Sequence, residues 1–234
     1  MSFCGPTLAA FARRHTLHAV EWPLLADLPA DEVRQVLSIA RRRTFSKGEV
    51  VFHRDDPADS LHLVAKGKFA IRVMTYLGES VTLAVRGPGD SFGEMALVSE
   101  GRRRAATVAA LEDAETFAVY QADFHRLRRE QPAVNEVLIA FLAEEIRRQN
   151  ERVLEALYVP VERRVLRRLV ELAHTYAGGG GVIPLTQEVL AEMAGTTRAT
   201  VNQVLRAEQE RGTVELRRGK TIVLDGDELA RRAR

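Results

Sequence analysis

The segment GDSFGEMALVSEGRRRAATV, residues 89–108, combines glycines, apolar residues and charges in an uncommon order. Gly93 precedes Glu94, and after a bend at Gly101 three consecutive arginines, 102–104, lead into small residues. A carboxylate and a guanidinium separated by a short apolar turn can form a salt bridge, or they can hold two edges of one small polar ligand. The glycines and small residues favour the second interpretation, because they let backbone N–H groups approach a ligand closely.

The composition bounds the class of protein. A chain of 234 residues with 46% hydrophobic and 28% charged residues predicts a soluble globular protein of one large domain or two ordinary ones. No apolar run approaches the ~20 residues that span a bilayer, and the N-terminal residues lack a secretory pattern, so we expect a cytoplasmic location and no membrane partner. Cys4 is the only cysteine, which excludes an internal disulfide. The net charge of +2 does not by itself indicate nucleic acid.

The first half of the chain is rich in β-forming residues. Residues 29–42 have the spacing of a short helix, and from Lys47 to about Val119 short β-rich runs alternate with glycine-bearing turns. Such a series predicts an all-β sandwich or barrel.

A long helix follows the β-rich region. From Ala122 to about Tyr158 there is no glycine, and Pro132 is the only proline. One narrow stripe recurs along this stretch, and it consists of Leu138, Leu142, Ile146, Gln149, Val153 and Leu157. The stripe is typical of a coiled-coil seam, which we favour over packing on the helix's own domain because the stripe is narrow and the helix long.

The last third has the pattern of a helix-turn-helix with a wing. After a helix at 160–177, two short helices flank Gly195, and two short strands flank Gly219-Lys220. Small, amide and cationic residues on an exposed helix face suit base edges and phosphates. The residues predicted to bind DNA are Gln187, Thr197, Arg198, Ala199, Thr200, Gln203, Arg218 and Lys220. The alternative is a small helical domain with a solvated charged face.

The residues 88–108, PGDSFGEMALVSEGRRRAATV, resemble the phosphate-binding cassette of cyclic-nucleotide-binding domains, F-G-E-[LM]-A-L, a spacer and R-[AST]-A-[TS]. With the helix and helix-turn-helix that follow, about residues 24–230 resemble the Crp–Fnr family of bacterial transcription regulators, most closely the cAMP receptor proteins. The resemblance implies an α+β fold with an N-terminal cyclic-nucleotide-binding β-barrel (jelly roll), a long dimerisation helix and a C-terminal winged helix-turn-helix. The expected divisions are an N-terminal extension, the β domain, the dimerisation helix and the DNA-binding domain, at 1–23, 24–133, 134–159 and 160–234.

The resemblance also implies a ligand and its contacts. Arg104 would hold the phosphate, with backbone N–H groups near Gly93 and Ala105, and Glu94 would accept from the ribose hydroxyl. The implied cyclic-nucleotide set is Ile71, Leu83, Ala84, Gly93, Glu94, Met95, Arg104, Ala105, Gln149 and Asn150. We expect cAMP rather than cGMP as the allosteric ligand.

Three departures from the family pattern alter what the resemblance implies. Ala105 replaces the hydroxyl residue that usually follows the cassette arginine in bacterial cAMP receptors, so one phosphate hydrogen bond fewer is expected. Gln149 and Asn150 replace a typical Thr-Ser pair, and these larger amides either read adenine differently or fill the site without ligand. In the recognition helix, Ala199 and Gln203 replace a Glu and an Arg, which predicts an altered DNA site.

The predicted protein is a homodimer that binds palindromic double-stranded DNA, is controlled by cyclic nucleotide and contacts RNA polymerase. It is not expected to be an enzyme, because no nucleophile with a positioned histidine is visible. No metal is expected, because the six histidines (15, 18, 53, 62, 125 and 174) form no close ligand pair on one helix face. Two alternatives stay open: a regulator active without nucleotide, and a cyclic-nucleotide-binding adaptor whose C-terminal domain binds protein.

Overall fold

A computed structural model describes residues 20, 22, 25, 30–76, 78–98, 101–177 and 180–234. Most of the predicted N-terminal extension, 1–23, lies outside the described residues. The chain forms two compact units. Unit 1 comprises the described residues up to Phe69 together with Arg86–Ala143, and unit 2 comprises Ala70–Val85 together with Glu144–Arg234.

The described helices and strands follow the predicted order. The strands are β1 (Arg41–Phe45), β2 (Val50–Phe52), β3 (Ser60–Lys66), β4 (Phe69–Met74), β5 (Ser80–Arg86), β6 (Ser91–Phe92), β7 (Thr107–Ala110), β8 (Ala114–Tyr120), β9 (Val182–Ile183), β10 (Val214–Arg217) and β11 (Lys220–Val223). The helices are α1 (Ala30–Ile39), α2 (Gln121–Glu130), α3 (Ala133–Tyr158), α4 (Val161–Thr175), α5 (Gln187–Ala194), α6 (Arg198–Glu210) and α7 (Gly226–Arg232), with a 3₁₀ helix at Glu94–Leu97. This order confirms the predicted α+β class, with an N-terminal β region, a long helix and a C-terminal winged helix-turn-helix.

A four-stranded antiparallel sheet forms the frame of unit 1. Its strand order is β1-β8-β3-β6, so β8 and β3 are the central strands. Both central strands are buried along most of their length, because neighbouring elements cover them. Strand β2 pairs antiparallel with β7, with a shift of register between Val50 and Phe52.

The core of unit 1 lies between this sheet and the helices. The indole Nε1–H of Trp22 donates to the backbone oxygen of Val64 at 3.0 Å, and its ring meets the Phe117 ring edge-on at 6.1 Å. Phe124 and Leu127 of α2 join the same core. Leu138 is also a core residue, with only 9% of its surface exposed. The first turns of α3 therefore pack on the β domain.

Unit 2 contains the helix-turn-helix. Gly195 ends α5 in the left-handed conformation, with φ of 62°, and the Thr197 side chain accepts from the backbone N–H of Thr200 at the start of α6. Val201 and Leu205 of α6 are fully buried, as the apolar pattern predicts. The three-stranded sheet β10-β11-β9 follows, and β10 and β11 form the predicted wing hairpin.

Two further features join elements within unit 2. The backbone N–H of Thr82 in β5 donates to Glu192 Oε2 in α5 at 2.7 Å. The buried Glu208 carboxylate of α6 accepts from the Thr213 hydroxyl at 2.8 Å and from Arg232 Nε at 3.1 Å. The recognition helix is thereby tied to the start of the wing and to α7.

Among the described helices, none combines the length and the apolar character needed to cross a bilayer.

Candidate functional site

Arg104 is the centre of a polar cluster inside unit 1. The residue is 5% exposed, and its guanidinium Nη1 donates to the backbone oxygen of Ser60 at 2.7 Å. Its Nη2 donates to Asp59 Oδ1 at 2.9 Å and to Ser60 Oγ at 3.0 Å. The face of the guanidinium lies 3.9 Å from the centre of the Phe52 ring. The chain thus holds a cation in place with one carboxylate, one serine and one aromatic face.

Gly93 makes this position of Arg104 possible. Its φ of 86° is in the left-handed region, and a Cβ there would lie 2.7 Å from Arg104 Nη1 and 2.9 Å from the Ser60 oxygen. Any side chain at this position would therefore displace the guanidinium or strain the backbone. Gly93 also precedes the 3₁₀ helix that begins with Glu94.

His62 lies behind the cluster as a neutral group. Its Nε2 is 3.3 Å from Ser60 Oγ, its Nδ1 is 3.0 Å from Thr116 Oγ1, and its ring stacks on Phe92 at 5.1 Å. Burial, and then the positive charge of Arg104, lower the pKa of His62 to about 3. Burial also lowers the pKa of Arg104 below its usual value, against the negative charges of Asp59, Asp56 and Glu94, which raise it. Because arginine remains charged at neutral pH, Arg104 is the cation of this cluster.

The structure brings part of the predicted ligand set together. Gly93 lies against Arg104, and the Glu94 carboxylate acts on Arg104 through its charge. Ala105 is exposed directly after Arg104, and Met95 is exposed in the 3₁₀ helix. The remaining predicted contacts belong to unit 2, on β4, β5 and α3, and they are Ile71, Leu83, Ala84, Gln149 and Asn150. Of these, Ala84 is buried and the amides of α3 are exposed.

Three polar residues in and behind the Arg104 cluster, as well as the Phe52 ring, were missed from the sequence. Ser60 is the first residue of β3, and Asp59 directly precedes it. In the sequence they lie 44 and 45 residues before Arg104. His62 follows two residues later on the same strand. Their only sequence signal is that polar residues occupy positions in a β-rich run, which does not identify a partner.

The exposed face of α3 differs from the predicted seam. Leu138 is buried in the core and Leu142 packs against it, so neither leaves an open face for a second chain. The apolar residues exposed at heptad spacing are Ile139, Ile146, Val153 and Leu157. Exposed Ala143 and Asn150 complete the same 4-3-4-3-4 spacing, whereas Gln149 falls beside it. At its N-terminal end the exposed stripe therefore differs from the predicted seam, because Ile139 and Ala143 take the places of Leu138 and Leu142. The reason is that the first turns of α3 use their other face for the β domain.

Helix α6, the recognition helix, carries four of the eight predicted DNA-binding residues. Arg198, Ala199 and Gln203 of α6 are exposed, whereas Thr200 is half-buried. The Thr197 hydroxyl caps the helix and also lies 3.0 Å from the Thr200 hydroxyl, so its first role is local.

A groove lies between the helix-turn-helix and the wing. It has a volume of about 490 Å³, and its lining includes Gln187, Arg198, Arg218 and Lys220, all four predicted to bind DNA. Asn202 and Arg217 line it as well. Asn202 lies four residues after Arg198 and so shares its helix face. A groove with several cations and amides suits phosphates and base edges.

Comparisons with known proteins match both halves of the chain. Residues 42–131 match the family model of the cyclic nucleotide-binding domain, and residues 163–232 match that of the Crp-like helix-turn-helix domain. A protein of Thermus thermophilus named cyclic AMP receptor protein is 36% identical over 201 residues, covering 86% of this chain and 92% of that protein. A CRP-like cAMP-activated global transcriptional regulator of Mycobacterium tuberculosis is 33% identical, covering 81% and 87%. The solved structure of the Thermus thermophilus catabolite activator protein is 35% identical, covers 90% of this chain and 98% of its own, and has a TM-score of 0.53.

Proposed function

The chain belongs to the Crp–Fnr family of DNA-binding transcription regulators, and we propose that it is a cAMP-responsive homodimer that binds a palindromic DNA site. Members of this family are regulators and not enzymes. The family assignment covers a cyclic-nucleotide-binding domain and a Crp-like helix-turn-helix. The identity of the nucleotide, the dimer and the allosteric coupling are the proposal.

The observation that carries the proposal is the position of Arg104 against Gly93, next to Glu94. A cyclic nucleotide has one negative phosphate and a ribose hydroxyl, which require a cation and an acceptor a short distance apart. Arg104 supplies the cation, and Glu94 supplies the acceptor. Arg104 Nε has no hydrogen-bond partner among the residues that the structure describes, so the guanidinium retains a donor. The names of the Thermus and Mycobacterium relatives support cAMP as the nucleotide. The roles of Ile71, Leu83, Ala84, Met95, Ala105, Gln149 and Asn150 remain proposals with it.

The exposed seam of α3 supports the dimer. Four large apolar side chains at heptad spacing on an exposed helix face are unfavourable in water unless a second surface covers them. An identical helix would do so in a two-fold arrangement, and two recognition helices would then reach half-sites about one helical turn, ~34 Å, apart. RNA polymerase is the further partner that we propose for a regulator of this kind.

A hydrogen bond inside unit 2 supports the allosteric coupling. Thr82, whose N–H holds Glu192 of the helix-turn-helix, directly precedes Leu83 and Ala84, which we propose as ligand contacts. A ligand that shifts β5 would therefore act on α5 through one residue. If the protein exchanges between two arrangements, the ligand can shift that equilibrium only by as much as its affinity differs between them.

A second candidate is a regulator that binds DNA without nucleotide. It is favoured by the hydrogen bonds of Arg104 to Asp59 and Ser60, because the chain itself satisfies much of the guanidinium. The substitution Arg104→Ala separates the two functions. If nucleotide raises the DNA affinity of the unmodified chain and Arg104→Ala loses that increase, the first function is supported. If nucleotide leaves the DNA affinity of the unmodified chain unchanged, the second function is supported.

The experiment that tests the proposal first is calorimetric titration of the full chain with cAMP and, in parallel, with cGMP. We expect saturable binding of cAMP at about one molecule per chain and weaker binding of cGMP. No heat with either nucleotide contradicts the cAMP assignment and leaves the DNA-binding regulator in place. Selection of DNA from a random pool tests the adaptor alternative, because an adaptor would select no palindrome.

A further inference from the structure

Two amide side chains are joined on the groove side of the helix-turn-helix. Asn202 Nδ2 on α6 donates to Gln187 Oε1, at the first residue of α5, with a distance of 3.0 Å. Both residues are half-buried. Each side chain is therefore held by the other and by its surroundings, so little side-chain freedom remains to be lost on binding.

The bond between the two amides leaves a defined set of hydrogen-bonding groups. An amide has one oxygen with two lone pairs and one NH₂ with two hydrogens. After the shared bond, Asn202 retains its oxygen as an acceptor, and Gln187 retains its NH₂ as a donor. Exchanging the orientation of both amides gives the same result with the roles reversed. In either orientation the pair offers one acceptor and one donor side by side.

The pair lies between two cationic positions. Gln187 and Asn202 line both the groove of about 490 Å³ that contains Arg198 and a second one of about 550 Å³ that contains Arg206. Residues 198, 202 and 206 are four apart and share one face of α6. Arg217 and Arg218 of the wing line both grooves as well. Cations on either side can engage phosphates and hold the duplex while the amides face the space between them.

We propose that Gln187 and Asn202 act together as one base-reading unit that recognises adenine, with Asn202 as a specificity-determining residue. In the major groove adenine presents the N7 acceptor beside the N6 amino donor, the complement of one donor beside one acceptor. Guanine presents two acceptors at the same edge, so one of the amides would lack a partner. This inference rests on the proposed function, since it requires that the groove receives DNA.

The test compares DNA selection by the full chain and by Asn202→Ala, each with and without cAMP. The unmodified chain should select a site with an A·T pair at one fixed position in each half-site. In Asn202→Ala the preference at that position should fall roughly tenfold, because a paired amide contact contributes about that discrimination. Affinity for DNA of random sequence should stay within about twofold, because the phosphate contacts remain.

Two further variants keep the result interpretable. Asn202→Asp preserves the size of the side chain but removes its NH₂ donor, and we expect the same loss of the A·T preference. Gln209→Ala removes an exposed amide from the same helix, at a position that lines only the second groove, and it should leave the preference unchanged. Thermal unfolding of each variant shows whether the domain remains folded.

The outcomes separate this inference from the proposed function. If the unmodified chain selects no sequence, the proposed function is wrong. If it selects a palindrome and Asn202→Ala retains every base preference, the inference is overturned. An equal loss of affinity for all sequences also overturns it, because that result assigns the pair a purely structural or phosphate-binding role.

Discussion

At Gly93 the lack of a side chain allows the Arg104 guanidinium to lie against the backbone. The same guanidinium is held by Ser60, which is buried, and by Asp59, whose side chain is 65% exposed. The cluster therefore has one rigid partner and one that can turn to water. Because Asp59 is exposed, its ion pair contributes little to stability, and the burial of Arg104 depends chiefly on Ser60 and Phe52.

The substitution Gly93→Ala should destabilise the protein and abolish nucleotide binding. The added Cβ meets Arg104 Nη1 at 2.7 Å and a backbone oxygen at 2.9 Å, and we expect a loss of roughly 1–3 kcal/mol in the free energy of unfolding. Gly48→Ala is the matched control, since φ is 85° there and nothing lies within 4 Å. It should cost only about 1 kcal/mol for the backbone conformation. Urea unfolding of both variants measures the difference, and equal losses would contradict the steric argument.

His62 should make stability depend on pH. Its folded pKa of about 3 lies below the usual 6.5, so between these values the unfolded chain binds a proton that the folded chain does not. The contribution of His62 to stability is therefore fully present above pH 6.5 and is lost as the pH is lowered towards 3. When the pH is lowered from 7 to 5, the free energy of unfolding of the unmodified chain should fall by about 2 kcal/mol more than that of His62→Phe, because phenylalanine does not titrate. Urea unfolding at the two pH values measures this, and parallel losses would show that His62 is not the group responsible.

At the scale of elements, α3 serves two different surfaces. Its first turns give Leu138 to the core of the β domain, and its later turns expose Ile146 and Val153. One uninterrupted helix can do both, because residues 3.5 apart on average stay on one side while neighbouring residues face elsewhere. Asn150 lies within the exposed seam, where a polar residue can specify the register of a helix pair.

Ile146→Glu should convert the proposed homodimer to a monomer. Ile146 is 63% exposed in the single chain, so the fold of each chain should persist, whereas a carboxylate facing an apolar partner helix would be desolvated. Leu224→Glu is the control, because Leu224 is 59% exposed but lies outside the helix. Sedimentation equilibrium should show half the mass for Ile146→Glu and no change for Leu224→Glu. A dimer that survives Ile146→Glu would exclude this seam.

At the scale of the whole molecule, charge is distributed unevenly. The net charge is +2, yet Arg198, Arg217, Arg218 and Lys220 line one groove. A polyanion would contact this local concentration of positive charge, which the net charge of the whole chain does not reveal.

Lys220→Ala should weaken binding to all DNA sequences by a similar factor. Neutralising one phosphate contributes about 0.9 to the slope of the logarithm of affinity against the logarithm of salt concentration, so the slope should fall by about that amount. Lys66→Ala removes an exposed lysine of unit 1 and should leave the slope unchanged. Fluorescence anisotropy over a range of salt concentrations measures both. A change in base preference with an unchanged slope would show that Lys220 reads bases.

The local sequence was enough to predict the order of the elements and most of the turns and caps. The β-rich runs, the long helix, the cap at Thr197 and the turn at Gly195 follow from periodicity and from hydrogen bonds between near neighbours, which the local sequence specifies. The glycine before Glu94 and the arginine ten positions after it belong to the motif that resembles the family. The sequence therefore identified Gly93, Glu94 and Arg104 as ligand-binding residues. Which residues lie opposite them depends on tertiary packing. Asp59 and Ser60 meet Arg104, Asn202 meets Gln187, and Leu138 enters the core, because such contacts join residues far apart in the chain and depend on how whole elements pack.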